Sequence, residues 1–243
     1  MSTTTSTALF LSSAQLVRIG PDNFPNNSAS ACLADYGGKR ILLTVAHAIG
    51  DDGNWALQVR FIPQRNRTEL RRLGAMNFFA IGNLGASKLK RVDLSFVEID
   101  SSVTAYRQEI DPTNNSIKSE APITVHALTL DEKPHANDTF GFCGMVFATG
   151  EEHFGQRYFS GEIRTYSGLS FLRTEGGYHV FKLPFEHPGH EHFKGCSGAP
   201  IINSAGIPVA LVCEGRVEHD EIWGISLTAY KVPIELTLGV TGG

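Results

Sequence analysis

The sequence predicts an all-β protein built as one unit. Its apolar residues fall in short runs that either alternate with polar residues or are continuously apolar, and Gly, Pro, Asn and Asp bound those runs as turn residues do. With 243 residues and 42% hydrophobic content, the chain can bury a sizeable core, and its length suits a single all-β unit.

Residues 15–19 form the first expected strand. Residues 30–34 and 41–45 read as a hairpin across Gly37 and Gly38, and strands follow at 57–62, 78–81 and 93–99. The polar stretch 100–122, which contains Asp111-Pro112-Thr113-Asn114-Asn115-Ser116, is expected to be a linker crossing into a second half. Strands are then expected at 124–130, 140–149, 158–165, 179–183, 201–213 and 222–228, with a short helix near 232–236. No internal repeat is evident, and low complexity is confined to the Ser/Thr-rich start.

Chemistry concentrates in the hexapeptide Gly195-Cys196-Ser197-Gly198-Ala199-Pro200, just before the apolar pair Ile201-Ile202. Flanking glycines let the backbone turn sharply, exposing a serine hydroxyl and aiming peptide N–H groups at whatever that hydroxyl attacks. A serine is a poor nucleophile unless an imidazole accepts its proton and a carboxylate orients the imidazole. Upstream, the strand at 41–45 leads into His47, and Val92-Asp93-Leu94-Ser95-Phe96-Val97 carries an aspartate. His, then Asp, then Ser is one of the three chain orders in which that constellation occurs. Asp51, Asp52, Glu98 and Asp100 compete for the carboxylate role. The first two sit in an Asp-Asp-Gly turn and Glu98 falls in mid-strand, so Asp93 is preferred.

Together these segments resemble the trypsin/chymotrypsin-like serine peptidases. Thr44-Val45-Ala46-His47 is similar to the family's T-A-A-H, Asp93-Leu94-Ser95 to its D-[IL]-[AS], and Gly195 to Pro200 to G-x-S-G-G-P. The segments at 201–210 and 223–228 resemble the last barrel strands of bacterial members such as the high-temperature-requirement group. The resemblance spans roughly residues 14–233 and implies two six-stranded antiparallel β-barrels, about 8–110 and about 120–243, with the active site in the cleft between them. It implies a serine endopeptidase that cuts proteins or peptides through an acyl-enzyme without a metal or organic cofactor. His47, Asp93 and Ser197 would be the catalytic residues, the N–H groups of Gly195 and Ser197 the oxyanion hole, and Glu191, His192, Trp223 and Gly224 substrate-binding residues. An inactive relative that binds peptides or proteins in the same cleft is the main alternative, and a viral-type polyprotein-processing protease is another.

The sequence departs from the family pattern at several points. Cys196 stands where many secreted relatives have an Asp that pairs with a new N-terminal amine, which argues against activation by that route. Ala199 replaces the second glycine. Ile222 precedes Trp223-Gly224 where many relatives have a serine that contacts the triad carboxylate. Cys196 is itself a thiol beside the nucleophile position, but the family register selects Ser197. Cys32, Cys143, Cys196 and Cys213 are too few and scattered for a disulfide framework and are expected to be free.

The loop 185–194 holds Glu186, His187, His190, Glu191 and His192, donor types that zinc accepts, although a role in shaping the substrate pocket fits better. Residues 1–7 carry no basic side chain and the apolar patch at 8–11 is short, so no secretory signal is expected and a cytoplasmic location is favoured. The net charge of −4 without a long basic run argues against nucleic acid as a partner, and no apolar run reaches the ~18 residues of a membrane span.

Overall fold

The computed structural model describes residues 3–240 apart from 52, 83–88, 112, 115 and 154–155. Met1, Ser2, the competing acid Asp52, and Pro112 and Asn115 of the expected linker lie outside the described residues. The chain starts with helix α1 (Thr3–Phe10) and the strands β1 (Ala14–Ile19), β2 (Pro25–Tyr36) and β3 (Lys39–Thr44). The short helix α2 (Ala46–Ile49) follows, then β4 (Trp55–Ile62), β5 (Arg67–Arg72), β6 (Asn77–Ile81) and β7 (Lys90–Glu98). A hairpin of β8 (Tyr106–Ile110) and β9 (Ile117–Pro122) leads to β10 (His126–Ala127). The second half comprises β11 (Thr139–His153), β12 (Gln156–Glu175), β13 (Tyr178–Lys182), β14 (Pro200–Ile202), β15 (Pro208–Arg216), β16 (Glu221–Ser226) and helix α3 (Lys231–Leu238).

The second half closes as a six-stranded antiparallel barrel in the order β11-β12-β13-β16-β15-β14. The first half is a curled antiparallel sheet in the order β5-β4-β1-β2-β3-β7-β6, with β10 added parallel to β2. It therefore carries one strand more along its path than the expected six, because β5 was not foreseen. β5, Arg-Thr-Glu-Leu-Arg-Arg, is an edge strand with a single half-buried position, so it shows no apolar alternation. The expected linker is also more ordered than its composition suggests. Its β8–β9 hairpin is held by Asx-type turns in which Asp111 Oδ1 accepts from the Thr113 N–H and hydroxyl.

The middle of β2 (residues 30–34), the end of β3 (41–44) and the end of β7 (94–97) are buried on both faces, which is why residues 31–34 and 41–43 are apolar without alternation. Ala31, Leu33 and Leu42 point into the first half's own core with Leu16, Trp55 and Leu57. Their sequence neighbours Cys32, Ala34, Ile41 and Leu43 point the other way, against Leu94 and Phe96. That second layer continues into Leu128, Leu130, Leu211, Ile225 and α3 through Ile234 and Leu238, forming a core between the two halves. The closed barrel has its own interior of Phe140, Phe142, Phe181, Leu169 and Ile201. Each such side chain taken wholly from water contributes roughly 1.5–3 kcal/mol, so the two halves are joined by an apolar seam rather than by a flexible tether.

The apolar patch at 8–11 lies in and just after α1. Leu9 is buried, and the Cys143 thiol and the Arg107 guanidinium donate to the Phe10 carbonyl. No helix among the described residues is long and apolar enough to cross a membrane.

Candidate active site

Antiparallel pairing of β3 with β7 sets Thr44 opposite Ser95, so continuing that register by two residues brings Asp93 opposite Ala46. The turn into α2 then presents His47 to the carboxylate twice. The His47 N–H donates to Asp93 Oδ1 at 2.8 Å, and His47 Nδ1 bonds Asp93 Oδ2 at 2.7 Å. The other ring nitrogen, Nε2, lies 3.2 Å from Ser197 Oγ. The structure thus brings His47, Asp93 and Ser197 into one hydrogen-bonded chain. The competing acids among the described residues are occupied elsewhere: Asp51 pairs with Arg91, Glu98 with Lys39, and Asp100 caps Ser102.

A third group completes the carboxylate's shell. Cys213 Sγ on β15 donates to Asp93 Oδ2 at 2.7 Å. Burial works against the Asp93 charge, but the hydrogen bonds from His47 and Cys213 and the nearby imidazole outweigh it and hold the carboxyl below its ordinary range. Burial and the Asp93 carboxylate together push the Cys213 thiol up, so it stays protonated and able to donate. The expectation that Ile222 occupies the carboxylate-supporting position is therefore corrected. Ile222 on β16 lines the cleft, but the strand that carries the group bonded to Asp93 is β15, and Cys213 supplies the donor. The span 201–213, expected as one strand, holds a hairpin turn at Asn203-Ser204-Ala205-Gly206, where Asn203 Oδ1 accepts from the Ala205 and Ile207 N–H groups, so the register is one strand earlier than the resemblance implies.

The nucleophile loop is anchored from the first half. Ser30 N–H donates to the Ser197 carbonyl at 3.0 Å, Ser30 Oγ to the Gly195 carbonyl at 2.7 Å, and Thr44 Oγ1 to the Ser30 carbonyl at 2.8 Å. Ser30 and Thr44 were not foreseen as site residues, since a buried hydroxyl in a strand has no local signature. Gly195 has φ +97°, and a Cβ there would overlap the Met145 carbonyl. Only glycine tolerates both conditions. Among the described residues, neither the Gly195 N–H nor the Ser197 N–H makes a backbone hydrogen bond, whereas Cys196 N–H donates to Phe193. Two peptide donors are thus left beside the serine hydroxyl.

The thiol of Cys196 is fully buried against Gly144, and burial pushes it upward, so it cannot stand in for the hydroxyl. All four cysteines are free.

His47 and Ser197 open onto a cleft of about 390 Å³ lined further by Ser28, Glu191, Cys213 and Gly215. Of the four expected substrate contacts, Glu191 borders this cleft, and the other three lie outside its lining. His192 turns away to Arg164 and the Phe147 ring, Trp223 stacks with Arg216 and donates to Glu221, and Gly224 packs against Ile201 and Ala210. Of the loop histidines, His187 and His190 meet edge to face with ring centroids 5.8 Å apart, while His192 turns away from them. His187 is buried, with Nδ1 accepting from the Gly189 N–H, and among the described residues the three-donor group is His47, Asp93 and Cys213 instead.

No family model and no curated protein matches this sequence. Solved structures do. The human heparin binding protein is 14% identical with a TM-score of 0.59, over 97% of this chain and 94% of that one. A serine endoprotease of Yersinia pestis is 14% identical with a TM-score of 0.55, over 98% of this chain and 67% of that one. An inactivated protease paralogue of the scabies mite is 10% identical with a TM-score of 0.54, over 98% and 96%. The chain has the chymotrypsin-like double β-barrel fold. Other structural neighbours are titled as a collagenase, 13% identical with a TM-score of 0.61, and as the mouse serine protease neuropsin, 11% identical with a TM-score of 0.56.

Proposed function

We propose that the chain is a serine endopeptidase. The observation that carries this reading is the unbroken relay from Ser197 Oγ through His47 to Asp93, lying beside two N–H groups that are not spent on the protein's own backbone. In this reading Ser197 Oγ attacks the peptide carbonyl while His47 Nε2 takes its proton. Asp93 keeps the Nδ1 proton in place and stabilises the imidazolium. The N–H groups of Gly195 and Ser197 receive the oxyanion, which is worth about 3–4 kcal/mol of barrier per donor. His47 then returns the proton to the leaving amine, and water releases the acyl group by the same relay.

Neighbours titled as an inactivated protease paralogue and as a heparin binding protein show that this fold also occurs in proteins described by other roles. What favours catalysis in this chain is the retained relay. Protein or peptide substrates belong to the proposal, as does kinship with bacterial high-temperature-requirement proteases.

A fluorophosphonate probe tests the reading. Labelling is expected at Ser197, lost in Ser197→Ala and kept in Cys196→Ala. Absence of labelling, together with no cleavage across a peptide library, would leave the cleft as a binding site.

A further inference from the structure

We propose that His47, Asp93 and Cys213 form a binding site for a zinc-type divalent cation, and that the bound ion switches the nucleophile off. The donor atoms His47 Nδ1, an Asp93 carboxylate oxygen and Cys213 Sγ lie within 4.8 Å of one another, and the carboxylate oxygen is 2.7 Å from each of the other two. Imidazole nitrogen, carboxylate oxygen and thiolate sulfur are the three donor types zinc takes, at about 2.0–2.3 Å, which sets tetrahedral donor separations of about 3.3–3.7 Å. Shifts of about 1 Å or less convert the present arrangement into that one. His47 is the member best able to move, since its side chain is 48% exposed on a four-residue helix at the cleft edge.

Both His47 and Cys213 border the open cleft, so an ion and its fourth, water ligand have a path in. A hydroxyl at the position of Cys213 would support Asp93 equally well but would bind zinc far more weakly. The thiol is what turns a supporting contact into a soft-metal ligand.

Proton and charge balance explain the inhibition. The cation displaces the Cys213 proton, which leaves to solvent, and the imidazole proton moves from Nδ1 to Nε2, so the ring stays neutral. One carboxylate and one thiolate neutralise the dication. The now protonated Nε2, which lies 3.2 Å from Ser197 Oγ before the ion binds, has no lone pair to accept the hydroxyl proton. Nothing is oxidised or reduced. The inhibitory consequence rests on the peptidase reading; the metal site itself does not.

Binding is therefore measured on the full chain carrying Ser197→Ala. Calorimetry is expected to give one zinc per chain, and cobalt(II) to give a thiolate charge-transfer band. Adding Cys213→Ser should abolish the band and weaken zinc about a hundredfold. Should the double variant fail to fold, the unmutated chain offers a second readout, in which zinc slows alkylation of Cys213 at least tenfold. No stoichiometric binding, a cobalt spectrum without thiolate character, a loss below tenfold in Cys213→Ser, or an unprotected Cys213 would each overturn the site. If the site exists, saturating zinc should cut fluorophosphonate labelling of Ser197 in the unmutated chain at least tenfold. Labelling that is present and insensitive to bound zinc would overturn the switch, whereas labelling absent without zinc would sink the peptidase reading and leave the metal site standing.

Discussion

Gly198→Ala is expected to break the contact on which the two halves assemble the nucleophile loop. Gly198 has φ +89°, and a Cβ at that position would overlap both the Ser30 carbonyl oxygen and the Thr44 hydroxyl. Those two atoms are themselves hydrogen-bonded at 2.8 Å in a fully buried place. The positive φ costs an alanine about 1–2 kcal/mol. Forcing a methyl into a filled space adds about 1–3 kcal/mol, and losing the Thr44–Ser30 bond about 1 kcal/mol more. The total is roughly 3–6 kcal/mol. Gly38→Ala provides the control, because Gly38 has φ +77° with nothing within 4 Å of its would-be Cβ. Only the backbone penalty, about 1–2 kcal/mol, applies there. Urea unfolding of both variants separates the two contributions: with an m-value of about 3 kcal/mol/M, the Gly198 variant should lose at least about 1 M in midpoint and the Gly38 variant about half that. Equal shifts in the two proteins would refute the claim that packing across the barrels, rather than backbone conformation, demands glycine at 198.

Asp93→Asn should leave the fold intact but reduce kcat about 10⁴-fold, since an amide no longer fixes the imidazole with its proton on Nδ1. A loss smaller than tenfold in steady-state hydrolysis would contradict that role. Cys213→Ala removes one donor to a partly buried carboxylate, worth about 1.5–3 kcal/mol, and is expected to lower kcat roughly ten- to a hundredfold. Cys213→Ser should recover most of it, and equal defects in the two variants would argue that the sulfur fills space rather than donates. His179, buried on β13, has its pKa lowered to about 4, chiefly by burial and further by Lys133. Above about pH 6.5 it is neutral in both states, but as pH falls towards 4 the unfolded chain binds a proton that the folded chain refuses. Up to about 2–3 kcal/mol of stability should be lost over that window. His179→Phe should flatten that part of the stability–pH curve measured by denaturation, and an unchanged slope would rule the assignment out.

What could be read from the sequence follows from where the physics is local. Ile41 to Val45 and Val92 to Val97 announce themselves because one is a nearly unbroken apolar and β-branched run and the other alternates Val92, Leu94 and Phe96 with polar residues, and the glycines around Ser197 because only they allow its turn. β5 and the β8–β9 hairpin were missed because solvent-facing strands need no apolar residues and are held by partners distant in sequence. Cys213 was missed for a related reason. Its meaning depends on which strand passes beside Asp93, and the turn at Asn203 splits the span 201–213 into two strands where one is expected. Ser30 and Thr44 act wholly through tertiary contacts, so their hydroxyls carried no signal at all.

The anchoring of the serine loop by Ser30 gives the molecule a divisible character. Severing the chain within the β8–β9 hairpin would place imidazole and carboxylate on one fragment and the hydroxyl on the other. Neither piece alone could carry the relay, and the bonds that seat the loop would exist only after the fragments recombine. Reconstituted labelling by a covalent probe would thus report reunion itself, making the pair a ready complementation sensor.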